Sequence, residues 1–332
     1  MAKANRLALS AFIVLFFAAF AAAQQSYTVT DLGPGGAVAI NSLGDVLVAD
    51  NNGNSFVWSP GGSLLALAPL PGDAFTIPHG INSQGLVVGE SDNTSYSVRS
   101  AVLWTNGVPL DLGAGRVSSA TAINASGQVA GETSTPSGQE AFLWTKATGV
   151  QVFGPGDSFS EAINRFGKVA GLAGANRGRT FYAFVWSKTT GMTNLGKLPG
   201  YDSSQPLAID DLGEVVGLSY CAFNCSLKEH ATLWGKTKGS MLDLGVLPGT
   251  SLSLAEGINN VGQVVGLSAP QGANPGHAFV WSQSTGMLDL NNLIPANSGW
   301  LLQQATAIND QGQIVGYGTL NGQSEAFLLT PQ

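Results

Sequence analysis

One ten-residue pattern returns along the whole chain and constrains the fold more than any other feature. Its cleanest copy is Ala307-Ile308-Asn309-Asp310-Gln311-Gly312-Gln313-Ile314-Val315-Gly316, or A-I-N-x-x-G-x-V-x-G. The Asn recurs at Asn41, Asn82, Asn124, Asn164, Asn259 and Asn309, and Asp210 takes its place in the fifth copy. Successive copies are 41, 42, 40, 46, 49 and 50 residues apart. A period of that size marks a repeat architecture, in which each unit covers the apolar face of its neighbour.

Each period carries four strand-like signals. The A-I-N run ends in Asn-x-x-Gly, which suits a type I turn and therefore a hairpin. A short Val-rich run follows, as in Val87-Val88-Gly89 and Val264-Val265-Gly266. After a variable loop comes the A-F-x-W run, such as Phe142-Leu143-Trp144 or Phe184-Val185-Trp186. The last signal is the G-M-x-D-L-G block, seen in Gly239–Gly245 and Gly286–Leu290. The apolar residues are consecutive rather than alternating, as in strands covered on both faces. Four such strands in 40 to 50 residues is the size of one propeller blade. The expected fold is all-β: a β-propeller with seven four-stranded blades, whose repeats start near residues 37, 78, 119, 159, 205, 254 and 304. The Trp positions are expected to fill the gaps between blades.

The two ends predict how the ring closes. The seventh copy stops after Phe327-Leu328-Leu329-Thr330, without a D-L-G block. Tyr27-Thr28-Val29-Thr30-Asp31-Leu32-Gly33 near the start supplies one, so it is expected to pair into the last blade and leave no exposed edge. The first copy is the most degenerate, and there Ala49 is read in the place of the Gly that follows the Val run.

Residues 1–23 read as a secretory signal. Lys3 and Arg6 precede an apolar stretch from Leu7 to Phe20, and Ala21-Ala22-Ala23 offers a small-residue cleavage site. The apolar stretch is too short for a spanning helix, so residues 24–332 are expected to be a single propeller domain outside the cytoplasm, secreted or periplasmic. Cleavage removes two of the 14 basic residues and leaves 12 against 21 acidic, a formal charge of −9. Such a chain has little attraction for a phosphate backbone, which excludes nucleic acid as a partner class. Cys221 and Cys225 are the only cysteines, and in an exported chain they suggest a local disulfide closing a small loop.

The combined I-N-x-x-G, V-V-G, A-F-x-W and D-L-G blocks resemble the HAF family of bacterial extracellular repeats, named for a His-Ala-Phe motif. That motif is literal at His277-Ala278-Phe279, and His230-Ala231-Thr232 is a variant. The resemblance covers essentially all of the chain after residue 23. It implies an exported repeat protein and carries no catalytic residues with it.

Chemistry in a propeller needs side chains that break the repeat and converge on the channel. His230 and His277 share one repeat slot, and His79 sits just before the second A-I-N run, so all three read as structural. Asp31, Asp111, Asp243 and Asp289 share another slot and read as turn formers. No G-x-S-x-G, H-E-x-x-H or EF-hand loop occurs, and no metal or cofactor is expected. Recognition is expected on the varying loops, where aromatic and basic residues collect: Tyr96 and Arg99; Arg177, Arg179 and Tyr182; Tyr220, Phe223 and Lys228; and Trp300, the one Trp off the repeat slot. These observations lead to an exported, monomeric, non-catalytic binding scaffold whose extracellular ligand is a glycan or a protein. Two alternatives stand beside it. One is a hydrolase or lyase acting on extracellular polysaccharide through Glu90, Glu132, Glu161 and Glu256; the other is a structural surface component.

Overall fold

The computed structural model describes residues 25–175, 178–223, 229–237, 239–272 and 275–332. The expected signal segment, and with it Arg177, Cys225 and Lys228, lies outside the described residues. Seven four-stranded antiparallel sheets form the ring of a propeller, and among the described residues a short 3-10 turn at Leu290–Asn292 interrupts an otherwise all-β structure. In every blade the A-I-N run is the innermost strand. These strands span Gly36–Ile40, Phe75–Ile81, Ser118–Ile123, Ser158–Ile163, Ser203–Ile209, Leu252–Ile258 and Trp300–Ile308. Their ends converge on a shared central channel. Among the described residues, no helix is long and apolar enough to cross a membrane.

The ring closes as the chain ends predict. Tyr27–Pro34 pairs antiparallel with Gln323–Pro331, Tyr27 lying opposite Pro331 and Gly33 opposite Ala326. The start of the chain thus supplies the outermost strand of the seventh blade. Tyr27 is buried there, and its N–H donates to the Leu293 carbonyl at 2.9 Å.

The Asn-x-x-Gly turns show why Asn recurs. In the second copy the Gly85 N–H donates to the Asn82 carbonyl at 3.0 Å, closing the turn, and Gly85 has φ +73°, which favours glycine. Asn82 Oδ1 accepts from the N–H groups of Gln84 and Leu86. Its Nδ2 leaves the blade and donates to the Asn124 carbonyl at 3.1 Å. One side chain therefore fixes its own hairpin and ties it to the next blade.

The A-F-x-W strand divides its residues between two neighbours. Phe142 and Trp144 lie on one face and pack with Val88, Ala101 and Leu103 of the blade before. Leu143 lies on the other and packs toward Val169 and Trp186 of the blade after. All six repeat-slot Trp residues face the preceding blade in this way, as the repeat predicts. Where the seventh blade lacks the Trp, Leu329 packs in a cluster with Val265 and Val280 of the sixth. Two indoles also satisfy their N–H groups: Trp104 Nε1 donates to the Ala68 carbonyl at 2.7 Å, and Trp234 Nε1 to the Gly196 carbonyl at 3.2 Å.

The register corrects one reading. Val48 pairs with Ala37 as Gly89 pairs with Pro78, so Val48 and not Ala49 stands in the glycine slot of the first copy. Elsewhere glycine is required there. A Cβ on Gly131 would collide with the Ser119 carbonyl and the Phe142 ring.

Candidate functional site at the channel mouth

Every innermost strand carries the same irregularity. Its pairing with the second strand slips by one residue, three positions before the motif Asn or Asp. The residues left out of the ladder are Val38, His79, Thr121, Glu161, Leu207, Glu256 and Thr306. A bulge re-aims the side chain of its extra residue, and all seven of these line one cavity of about 650 Å³ in the channel. The packing positions beside them barely vary, being Ala or Gly and then Ile in each copy. The bulge slot holds Val, His, Thr, Glu or Leu, so side-chain chemistry departs from the repeat where the channel is lined.

A second set of channel positions follows the Val-x-Gly run, and Glu90 and Glu132 occupy it in the second and third blades. The four glutamates, dispersed in sequence, line the same cavity together with His79, Ser119, Gln205 and Phe159. Their environments differ. Glu90 is 6 % exposed, with His79 Nε2 at 3.3 Å from Oε1 and Arg99 Nη1 at 3.5 Å from Oε2. Burial pushes its carboxyl up, but the His79 and Ser119 hydrogen bonds and the His79 and Arg99 charges outweigh burial and hold it below the usual carboxylate range.

The other three are displaced in the opposite direction. Burial, reinforced by the charges of Glu161 and Glu90, pushes Glu132 up to about 8. Burial raises Glu161 to about 7 against the opposing Gln205 hydrogen bond, whose Nε2 donates at 2.9 Å. Burial likewise raises Glu256 to about 7, although Gln304 Nε2 donates to it at 2.7 Å. Tyr317 in turn donates to Gln304 Oε1 at 2.7 Å and holds that amide in orientation. At neutral pH the cavity therefore presents one ionised carboxylate beside carboxyls that retain or share protons. Neighbouring titratable groups pushed in opposite directions are the usual makings of an acid and a base.

The loop residues expected to bind a ligand are distributed around the ring instead of forming one patch. Tyr96 lies in the loop between the second and third strands of the second blade and stacks on Phe75 with centroids 5.2 Å apart. Arg99 opens the third strand of that blade and turns its charge to Glu90. Arg179 and Phe223 come together across the fourth and fifth blades, the guanidinium 5.2 Å from the ring centroid. Tyr182 donates to the Met192 sulfur at 3.9 Å, and Tyr220 ends the second strand of the fifth blade. Trp300 begins the innermost strand of the seventh blade and meets Phe327 edge to face at 6.0 Å. Cys221 is disulfide-bonded.

The other histidines join strands. His277 Nδ1 lies 2.6 Å from Asp289 Oδ2 and His230 Nδ1 lies 2.8 Å from Asp243 Oδ2, so the His of the His-Ala-Phe motif links the third strand to the fourth. The Asp of that slot also forms its turn, as in the Gly245 N–H donating to Asp243 Oδ1 at 2.9 Å.

The bulge slot was not among the expectations, nor were Thr121 and Thr306 within it, or Gln205 and Phe159 two positions before it, as lining residues. The available signal was the position three before each motif Asn, where the residue type varies inside an otherwise uniform strand.

No protein-family model matches the chain, and no curated protein sequence resembles it. Solved structures do. A streptogramin B lyase is similar at TM-score 0.55 and 10 % identity, over 92 % of this chain and 98 % of the lyase. The β-propeller domain of the Trilobed protease from Pyrococcus furiosus, described as having an open velcro topology, is similar at TM-score 0.58 and 10 % identity, over 92 % and 95 %. Virginiamycin B lyase from Staphylococcus aureus with quinupristin is similar at TM-score 0.55 and 9 % identity, over 92 % and 99 %. At these identities the likeness establishes the propeller fold and nothing about the site.

Proposed function

We propose that the protein is an exported acid–base enzyme, a hydrolase or lyase that takes an extracellular polysaccharide into the channel mouth. One observation carries this reading: four glutamates from the second, third, fourth and sixth blades line a single cavity in which Glu90 is held ionised while Glu132 is held protonated at neutral pH. Glu132 is the residue suited to give a proton to a leaving oxygen. Glu90, kept anionic by His79 and Arg99, is suited to accept one from water or from an acidic carbon. Thr121, Thr306 and Gln205 offer hydrogen bonds to sugar hydroxyls, and Phe159 offers an apolar face. Export rests on residues 1–23, and an HAF-type extracellular repeat and a Cys221–Cys225 loop disulfide accord with it.

The test is incubation of the mature chain with a panel of neutral and acidic polysaccharides, following new reducing ends and unsaturated products. Activity that falls at least ~100-fold in Glu132→Gln and in Glu90→Gln, with binding retained, supports the assignment. Ligands that bind by calorimetry and are recovered intact between pH 5 and pH 8 overturn it. That second outcome favours the non-catalytic scaffold, for which the Arg179–Phe223 pair on the loop face is the supporting observation.

A further inference from the structure

At the narrow end of the channel the motif Asn side chains form a circle of hydrogen bonds. Asn41 Nδ2 donates to the Asn82 carbonyl at 3.0 Å, Asn82 to Asn124 at 3.1 Å, and Asn124 to Asn164 at 3.0 Å. Asn164 donates to Asp210 at 3.0 Å, Asn259 to Asn309 at 3.0 Å, and Asn309 back to Asn41 at 3.1 Å. Six of the seven blades thus reach the next through the same amide. The missing link runs from the fifth blade to the sixth, where Asp210 replaces Asn.

Asp210 keeps the half of the motif that accepts. Its Oδ1 takes the Glu214 N–H at 2.7 Å, as each Asn Oδ1 takes the corresponding N–H. Its Oδ2 stands in the place of the donating amide. The residue is 3 % exposed, and Oδ2 is buried with no hydrogen-bond partner among the described residues. In the first, third, sixth and seventh copies the residue four positions on accepts the second amide proton: Asp45, Gln128, Gln263 and Gln313. In the fifth that residue is Glu214, a second carboxylate. An ionised Asp210 therefore turns an anionic oxygen toward the Asn259 carbonyl with Glu214 beside it, and both interactions are repulsive.

We propose that Asp210 is a proton-operated seventh link: as the carboxylic acid its Oδ2–H donates to the Asn259 carbonyl and completes the circle, and on ionisation the circle opens between the fifth and sixth blades. The balance is one proton taken from or given to solvent. The charged groups around it are Glu214 on its own turn, Lys168 of the fourth blade, whose ammonium approaches Gly213, and the Arg165–Asp211 pair at 3.6 Å. Across the sixth and seventh blades, Asn260 is hydrogen-bonded to Asp310. Burial, with Glu214 adding to it, raises the Asp210 carboxyl above its usual range, in keeping with a site that retains its proton. The inference is independent of the chemistry assigned to the channel mouth, because the channel glutamates titrate alike in the variants compared.

The test is urea unfolding of the mature chain and of Asp210→Asn at pH 4 and pH 8. Asn restores the donor at every pH. The folding equilibrium constant of the variant is expected to exceed that of the wild type by about tenfold at pH 8 and by less than about twofold at pH 4. In Glu214→Gln, which removes the neighbouring charge, the pH at which the wild-type chain loses this stability is expected to move down, a shift that a merely structural residue would not produce. Equal stability of Asp210→Asn and wild type at both pH values overturns the proposal, as does an equal offset at both. So does stabilisation of the wild type, but not of Asp210→Asn, by calcium chloride or sodium chloride at pH 8, which would assign the gap to a cation.

Discussion

Replacing Glu132 by Gln tests whether the channel mouth keeps a carboxyl protonated at a free-energy cost. The native carboxyl titrates at about 8 against an ordinary value of 4.5. The native state therefore holds its proton more tightly than the unfolded chain, and stability falls as pH rises from 4.5 to about 8. At pH 7 the unfolded glutamate is ionised and the native one is not. With one pH unit worth about 1.4 kcal/mol, the wild type is about 3 kcal/mol less stable than it would be without this titration. At pH 5, only about half a pH unit above the ordinary value, the native carboxyl is protonated and the unfolded one is incompletely ionised, so the difference falls below about 1 kcal/mol. Gln is close to Glu in size and does not titrate, so Glu132→Gln should gain that difference. Urea unfolding at the two pH values reads it, with the slope m unchanged. The expected result is a variant more stable by about 2–3 kcal/mol at pH 7, nearly matched to wild type at pH 5, and catalytically impaired. An offset of the same size at both pH values would refute the reasoning, because it would mean that Glu132 ionises as a solvated side chain does.

Three further outcomes follow from the fold. Removing the strand Tyr27–Pro34 leaves an open edge on Gln323–Pro331 and uncovers the apolar clusters that Tyr27 and Leu32 complete, around Leu329 and Leu328; a loss of at least about 4 kcal/mol is expected in calorimetry or urea unfolding, with self-association visible by light scattering. Trp104→Ala empties the seam between the first two blades and strips the Ala68 carbonyl of its indole donor, so unfolding should become easier by about 3–5 kcal/mol. Gly131→Ala drives a methyl into the Ser119 carbonyl under the third-blade bulge. It should lower the melting temperature and also displace Thr121 and Glu132, read as a weaker polysaccharide response than in a Val48→Ala control, where the slot already carries a side chain.

Much of the architecture was legible because a propeller states its packing seven times. Phe142 and Trp144, or Phe279 and Trp281, can be recognised as inter-blade residues from their repetition alone, since the same neighbour geometry demands the same volumes in every blade. The closing strand was legible for the same reason, as the D-L-G of Asp31-Leu32-Gly33 is the block that the seventh copy lacks. Even the His-Ala-Phe motif has a packing explanation in the hydrogen-bonded pairs His277–Asp289 and His230–Asp243.

The site was harder to read because it is written in the positions where the repeat stops agreeing with itself. Glu161 and Glu256 were candidates for the enzyme alternative, but it is the slipped register that turns them into the channel, and no single copy of the repeat marks that slip. Their four-carboxylate partnership depends on ring closure, which brings blades 40 to 50 residues apart in sequence around one axis. Uniform slots hold the ring together and leave no room for chemistry, whereas a bulge offers one position per blade that the ladder does not constrain. A departure from the repeat at that position is therefore tolerated structurally and available for function. Asp210 sits at the opposite kind of position, inside the circle that joins the blades, where a departure leaves a buried oxygen without a partner. The two kinds of exception lead to different experiments: the channel carboxylates should move catalysis and binding, and Asp210 should move the pH dependence of the ring itself.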